Sequence, residues 1–337
     1  MLILGIESSC DETAAAVVAD GSSLLSNVIA SQIDVHKRFG GVVPEIASRK
    51  HIEVIIQVIE EALSDAGVTL DDIDGIAGTR GPGLIGSLLV GLSVAKSMAF
   101  ARGIPFVGVN HIEAHIAAIF LTEQRPAFPF VALVVSGGHT NIYQVEHFGS
   151  SRILGQTRDD AAGEAFDKGA KMLGLGYPGG IVIDRLAKGG NASYVPFPRS
   201  MKGSLDFSFS GLKTALLYYI KKRETPISDD ELPHIAASYQ DAIVDVLVDK
   251  TLQAAEVLSL SRVVIAGGVA ANSRLRELFQ ERAGERGVDV FIPPPVLCTD
   301  NAAMIAAVGY HRLQRGDSDT LNMNAISRWP LDCPEGL

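Results

Sequence analysis

Two stretches decide the fold: Leu4-Gly5-Ile6-Glu7-Ser8-Ser9 near the start of the chain and Val134-Val135-Ser136-Gly137-Gly138-His139 in its middle. They are similar in pattern more than in letters, each an apolar run that ends in small polar residues. Outward from the first, Leu2 to Glu7 reads as a strand, Thr13 to Val18 as its hairpin partner and Ser22 to Ser31 as a third strand. A helix is predicted from about Ile46 to Ala66, since Ile52, Ile55, Ile56 and Ile59 recur at helical spacing. A short strand near Gly75 to Gly78, a helix from about Leu84 to Ala101 closed by Gly103, and a strand from Pro105 to Val109 follow. Asn110 then offers a side-chain cap to a helix opening at His111. Outward from the second stretch the same order returns. Strands are expected at Phe130 to Ser136, His139 to Glu146 and Arg152 to Thr157, with a helix around Gly163 to Leu173. After an irregular Gly- and Pro-rich insertion come a long helix from Pro233 to Leu258, strand Arg262 to Ala266, helix Asn272 to Arg286, strand Val288 to Ile292 and a helix opening near Asp300.

A duplicated β-β-β-α-β-α-β-α order is the topology of the actin, Hsp70 and sugar-kinase group, which is RNase H-like. The fold expected is therefore α/β, with two such lobes and a central nucleotide cleft; topology alone says nothing of chemistry. The expected divisions are residues 1–125 as the first lobe, 126–300 as the second with its insertion at about 174–230, and 301–337 as a C-terminal helix and tail packing back on the first lobe. A chain of 337 residues, 47% apolar and 20% charged, suits two ordinary domains with their own cores. No apolar stretch reaches the ~20 residues of a membrane span, and Met1 to Glu7 runs straight into a strand with no basic leader. No membrane role is expected. Cys10, Cys298 and Cys333 are odd in number and far apart, which argues against a disulfide framework and points to a reducing cytoplasm. The net charge of −10 does not attract a phosphate backbone by itself, so a nucleic-acid substrate needs local basic patches or partner proteins.

Gly81-Pro82-Gly83-Leu84-Ile85-Gly86 matches G-x-G-x-x-G, but three strands precede it and the next strand ends in Val109-Asn110 rather than an acidic residue. It reads as a tight turn or a phosphate cradle before it reads as an NAD site. Better phosphate candidates are the hairpin turns Ser8-Ser9-Cys10-Asp11-Glu12-Thr13 and Ser136-Gly137-Gly138-His139-Thr140, where small residues expose backbone N–H groups. Asp11 and Glu12 would repel a phosphate unless a metal or a proton intervenes. Gly267-Gly268 and Asn272, between a strand and a helix, suit a flat adenine or ribose, with a plain helix cap as the alternative for Asn272. Asp167 and Asp184 are candidates for ribose hydroxyls or an amino-acid ammonium.

His111-Ile112-Glu113-Ala114-His115 is the strongest local signal, because residues at i and i+4 on one helix face bring two imidazoles to one metal. Cys298-Thr299-Asp300-Asn301 opens the corresponding helix of the other half, so a pseudo-two-fold fold predicts Asp300 as third ligand. A two-His, one-carboxylate set suits Fe(II), and Zn(II) fits nearly as well.

Together these motifs resemble the TsaD family, once called glycoprotease. The match includes Gly5 to Thr13, Gly40 to Glu45, His111 to His115, Val135 to Thr140, Asp159 to Lys168, Tyr177 to Gly180, Asp206 to Thr214, Gly267 to Val269 and Cys298 to Asn301. His139 and Arg328-Trp329-Pro330 look like the bacterial branch, and Val134 stands where the archaeal and eukaryotic branch has a tyrosine. The resemblance implies an acyltransferase that passes the threonylcarbamoyl group of threonylcarbamoyl-adenylate to N6 of adenosine 37, in the anticodon loop of tRNAs reading ANN codons, and releases AMP. It implies a metal, usually iron, on His111, His115 and Asp300. It places the adenylate against Val134, Val135, Ser136, Gly137, Gly138, Asp167, Gly180, Asp184 and Asn272. It also implies a TsaB-like paralogue and a small TsaE-like ATPase as partners. Asp11 or Glu12 would then orient the attacking amine or take its proton, and Lys202, Lys213, Lys221, Lys222 and Arg223 are candidates for tRNA contact. Two rival readings stand beside this one. A metalloprotease would need the glutamate of H-E-x-x-H, which the sequence lacks; a non-catalytic nucleotide switch of the actin or Hsp70 kind would bind partners without group transfer.

Overall fold

A computed structural model describes residues 1–332, which leaves Cys333 outside the described residues. The chain divides into two compact units. The first holds residues 1–126, 147–151 and 299–332; the second holds residues 127–146 and 152–298.

In the first unit β1 (Leu2–Glu7), β2 (Glu12–Ala19), β3 (Ser23–Ser31), β4 (Gly75–Gly81) and β5 (Phe106–Asn110) form one sheet in the order β3-β2-β1-β4-β5. β1, β4 and β5 are mutually parallel, and β2 runs antiparallel to β1 and β3. The short α1 (Ile33–His36) leads to α2 (Pro44–Asp65), whose Pro44 supplies a fixed φ in the first helical turn. α3 (Ile85–Arg102) ends on Gly103, which takes a left-handed φ of +65°. α4 (His111–Ala117) follows β5 directly.

The isoleucine stripe expected on α2 is split. Ile55 and Ile59 are buried against the sheet, whereas Ile52 and Ile56 are 66% and 52% exposed. With Leu89 of α3 they leave a shallow apolar groove open to solvent, and Ile85 is exposed nearby on the same helix. α3 is long and apolar enough to cross a membrane by length and composition, which corrects the expectation that no stretch is. In this structure it packs Leu88, Leu92, Ala95 and Ala99 into the core, as a core helix does.

The second unit repeats the strand order. β6 (Phe130–Val135), β7 (Thr140–His147), β8 (Ser150–Gln156), β9 (Arg262–Ala266) and β10 (Asp289–Phe291) are ordered β10-β9-β6-β7-β8, with β6, β9 and β10 parallel. Its helices are α5 (Ala162–Met172), α6 (Gly179–Ala187), α7 (Ser210–Lys221), α8 (Leu232–Val257), α9 (Ser273–Glu285) and the single turn α10 (Pro295–Cys298). The insertion expected to be irregular therefore carries two helices. Asp159 caps α7 by accepting from Phe209 N and Ser210 N, and Lys250 Nζ donates to the carbonyls of Met201 and Asp206, 2.7 Å from each. These are long-range contacts that local periodicity does not carry.

The last helix, α11 (Ala302–Gln314), lies against β1 and β4 of the first unit through small residues. A Cβ on Gly5 would sit 2.2 Å from Ala302 O, and one on Gly309 would sit 2.5 Å from Ala77 Cβ. Backbone approach this close fixes the residues just before α11. Beyond it, Asp319 N donates to Phe106 O and Ile326 N to Arg80 O, so the following segment is bonded to β4 and β5.

Candidate metal centre and nucleotide-binding loops

The first-unit site lies at the carboxyl ends of its parallel strands, the usual place for ligands in open α/β sheets. Asn110 closes β5 and caps α4, its Oδ1 accepting from Ile112 N at 2.9 Å and Glu113 N at 3.3 Å. The cap sets His111 and His115 on one face, both buried, with ring centroids 4.6 Å apart. Asn301 caps α11 by accepting from Met304 N at 3.1 Å, and this places Asp300 beside them. Asp300 Oδ1 is 3.1 Å from His115 Nε2 and 3.6 Å from His111 Nε2, and one ligand atom from each of the three residues falls within 4.8 Å of the others. This group could hold a metal ion.

The donor chemistry fits a cation. Burial lowers the pKa of His115, which favours the neutral imidazole that ligation requires, and its buried Nδ1 has no hydrogen-bond partner among the described residues. Burial also opposes charge on His111, yet Glu7 and Asp300 raise its pKa to about 9, so positive charge is already favoured at this point.

Asp11 closes the turn after β1, and Glu12 opens β2. Glu12 accepts from Ser31 Oγ at 2.9 Å. Its pKa is pushed up to about 9 by burial and by the charges of Asp11 and Asp300. The turn is braced from behind. His51, fully buried on α2, donates from Nε2 to Cys10 O at 3.0 Å and accepts at Nδ1 from Thr13 Oγ1 at 2.7 Å. Leu84 N donates to Ser9 O, and a Cβ on Gly83 would lie 2.5 Å from that same oxygen. Gly81 to Gly86 thus serves as a tight turn that brings α3 onto the Ser8-Ser9 backbone. Ser9 N is itself taken by a Glu7 carboxylate oxygen, so this turn offers an anion fewer free donors than its composition promises.

The second-unit residues also gather at strand ends. Val134 and Val135 are buried inside β6, which leaves only their backbone for a ligand. Gly137 and Gly138 follow, exposed and with open space where a Cβ would lie. Gly163 N of α5 donates to Ser136 O at 3.1 Å. Asp167 on α5 accepts from Gly179 N at 2.7 Å, which sets Gly180 beside it. Asp184 on α6 accepts from Ser273 Oγ at 2.8 Å and Ser273 N at 3.3 Å, in the first turn of α9. Gly267, at φ +92°, passes so close to β6 that a Cβ would lie 2.4 Å from Val135 O. One chain of contacts thereby links Ser136, Asp167, Gly180, Asp184 and the loop before Asn272.

Asn272 performs the helix-cap role, accepting from Leu275 N at 3.0 Å while its Nδ2 donates to Gln240 Oε1 at 2.8 Å. Lys213 and Arg223, read as tRNA contacts, are paired with Asp160 at 2.9 Å and Glu231 at 2.7 Å. Sequence reasoning missed Glu7, Thr79 and His51. The available signal was a lone carboxylate closing an otherwise apolar strand.

Two five-stranded mixed sheets of one shared order, each with polar groups at the carboxyl ends of its parallel strands, define a duplicated actin/Hsp70-like α/β protein. Solved structures agree on the fold. The full-length HypF in its phosphate- and nucleotide-bound form matches with a TM-score of 0.62 at 15% identity, over 93% of this chain and 56% of that one. Component A of the (R)-2-hydroxyglutaryl-CoA dehydratase of Acidaminococcus fermentans matches with a TM-score of 0.53 at 16% identity, over 93% and 99%. The particular family follows from sequence. Residues 23–307 match the TsaD model, described as tRNA N6-adenosine threonylcarbamoyltransferase. Proteins of that name from Syntrophus aciditrophicus and Syntrophotalea carbinolica are 68% and 58% identical, covering 98% of this chain and 98% and 97% of theirs. The chain belongs to the TsaD family.

Proposed function

We propose that this chain transfers the threonylcarbamoyl group of threonylcarbamoyl-adenylate to N6 of adenosine 37 in tRNAs reading ANN codons, with release of AMP. The observation that carries the reading is 68% identity, across 98% of both chains, to a relative named for this transfer. A mixed acyl-phosphate anhydride is already activated, so the chain has to bind, orient and exclude water rather than form a covalent intermediate. In the second unit the open backbone of Gly137 and Gly138 suits a phosphate. Val134, Val135 and Ser136 would contribute alongside it, with Asp167, Gly180, Asp184 and the remaining amide hydrogen of Asn272 taking the nucleoside. In the first unit His111, His115 and Asp300 would hold one divalent ion, Fe(II) in preference to Zn(II). When bound, such an ion supplies Lewis-acid charge of the kind that stabilises a departing phosphate, worth several kcal/mol. Asp11 would orient the attacking amine. Glu12 would take the proton the amine sheds only in its charged form, which a bound cation favours against the burial that pushes its pKa up to about 9.

A TsaB-like paralogue and a TsaE-like ATPase are the proposed partners, and a cytoplasmic location the proposed setting. The exposed apolar residues Ile52, Ile56, Ile85 and Leu89 suit the docking of the paralogue. The test is reconstitution with tRNA, threonine, bicarbonate, ATP, the synthase and both partners, with the modified base read by mass spectrometry. Product that appears with the wild-type chain and is lost with His111→Ala supports the reading; product that forms equally with both contradicts the metal's part in it.

A further inference from the structure

We infer that Glu7 is the positioning residue of the metal triad, its buried carboxylate fixing the His111 ring so that Nε2 faces Asp300; this rests on the metal reading above. An imidazole presents two nitrogens, and the one left free to ligate is decided by the partner of the other. His111 Nδ1 lies 2.9 Å from Glu7 Oε2, while its Nε2 lies on the Asp300 side, 3.6 Å from Oδ1. Since a carboxylate only accepts, Nδ1 carries the hydrogen of that contact. Ser9 Oγ, 3.2 Å from the same nitrogen, adds a second neighbour.

Glu7 is itself immobilised. It is fully buried at the end of β1, Oε2 accepts from Thr79 Oγ1 of β4 at 2.8 Å, and Oε1 accepts from Ser9 N. A carboxyl left alone in such a place would be neutral; donors on three sides let it stay charged. The two histidines differ in this respect. His115 Nδ1 is buried with no partner among the described residues, so its ring is set by packing and by Asp300. Only His111 has a carboxylate behind it, and loss of Glu7 should free that one ligand to turn.

The test is competition of the chelator-stripped full chain against a chromophoric chelator for Zn(II), and for Co(II) with its visible spectrum recorded. Glu7→Gln should weaken binding about 10- to 100-fold and alter the Co(II) spectrum. Thr79→Val, which keeps the carboxylate and removes one brace, should weaken it by a smaller factor. Circular dichroism and thermal unfolding separate a folded variant from a collapsed one. Should Glu7→Gln not fold, Thr79→Val decides, and unchanged affinity there overturns the inference. Wild-type affinity retained by folded Glu7→Gln overturns the inference while leaving the metal reading intact. A wild-type chain that takes neither ion, or a His111→Ala chain that binds as tightly as wild type, overturns both.

Discussion

At the carboxyl ends of β1, β4 and β5 the first unit presents side chains: two imidazoles, Asp300 and the carboxylates of Glu7, Asp11 and Glu12. At the carboxyl ends of β6 and β9 the second unit presents mostly backbone, through Gly137, Gly138, Gly267 and Gly268. Its carboxylates, Asp167 and Asp184, accept from backbone N–H groups at the starts of α6 and α9. One strand order thus supports a site of concentrated, mutually repelling charge and a site of satisfied polar groups with open glycines. The first could hold a cation; the second leaves open space beside exposed glycines.

Substitutions at the two sites test this contrast. The largest effect is expected from Asp300→Ala, which removes one ligand and should lower transfer at least about a hundredfold while leaving adenylate binding by the second unit in place. Turnover assays beside equilibrium nucleotide binding check it. Next, Gly309→Val forces side-chain carbons onto Ala77 and should destabilise the first unit by about 1–3 kcal/mol, with ion affinity falling as α11 and Asp300 shift. Urea unfolding and metal titration on the same sample read both.

Asp184→Ala removes the acceptor for Ser273 N and should cost about 1 kcal/mol at α9, raise KM for the adenylate and leave ion affinity unchanged. A fall in ion affinity would mean the two sites are not separable in this way. The most pH-sensitive effect concerns Glu12. Its folded pKa of about 9 lies above an unfolded value near 4.5, so the folded state prefers the protonated form. In chelated protein its contribution should be fully favourable below about pH 4.5 and lost as pH rises toward 9. Glu12→Gln should therefore raise Tm relative to wild type at pH 8 and make little difference at pH 4.

Much of the fold is legible in the sequence, because strand, turn and helix follow one another twice with clear periodicity and with caps such as Asn110 and Gly103. The two helices of the insertion are not, since Asp159 and Lys250 hold that segment from far along the chain. The first-unit site is legible for a similar reason: His111 and His115 are spaced by one helical turn, and Asp300 opens the matching element of the repeat. Glu7 escaped because a carboxylate at a strand end reads as solvent-facing until the donors Thr79, Ser9 and His111 are seen around it. The split of Ile52 and Ile56 from Ile55 and Ile59 was likewise hidden, as all four fit one helical stripe by spacing alone. Asn272, Lys213 and Arg223 have partners that spacing alone does not show, namely Gln240, Asp160 and Glu231.

His111, His115 and Asp300 are proposed to form one ion site. Elemental analysis of the anaerobically purified chain, wild type beside His115→Ala, tests it most directly. About one divalent ion per wild-type chain is expected and almost none in the variant, with both folded. Equal metal content in the two, or an active wild-type chain that carries no ion, would contradict it.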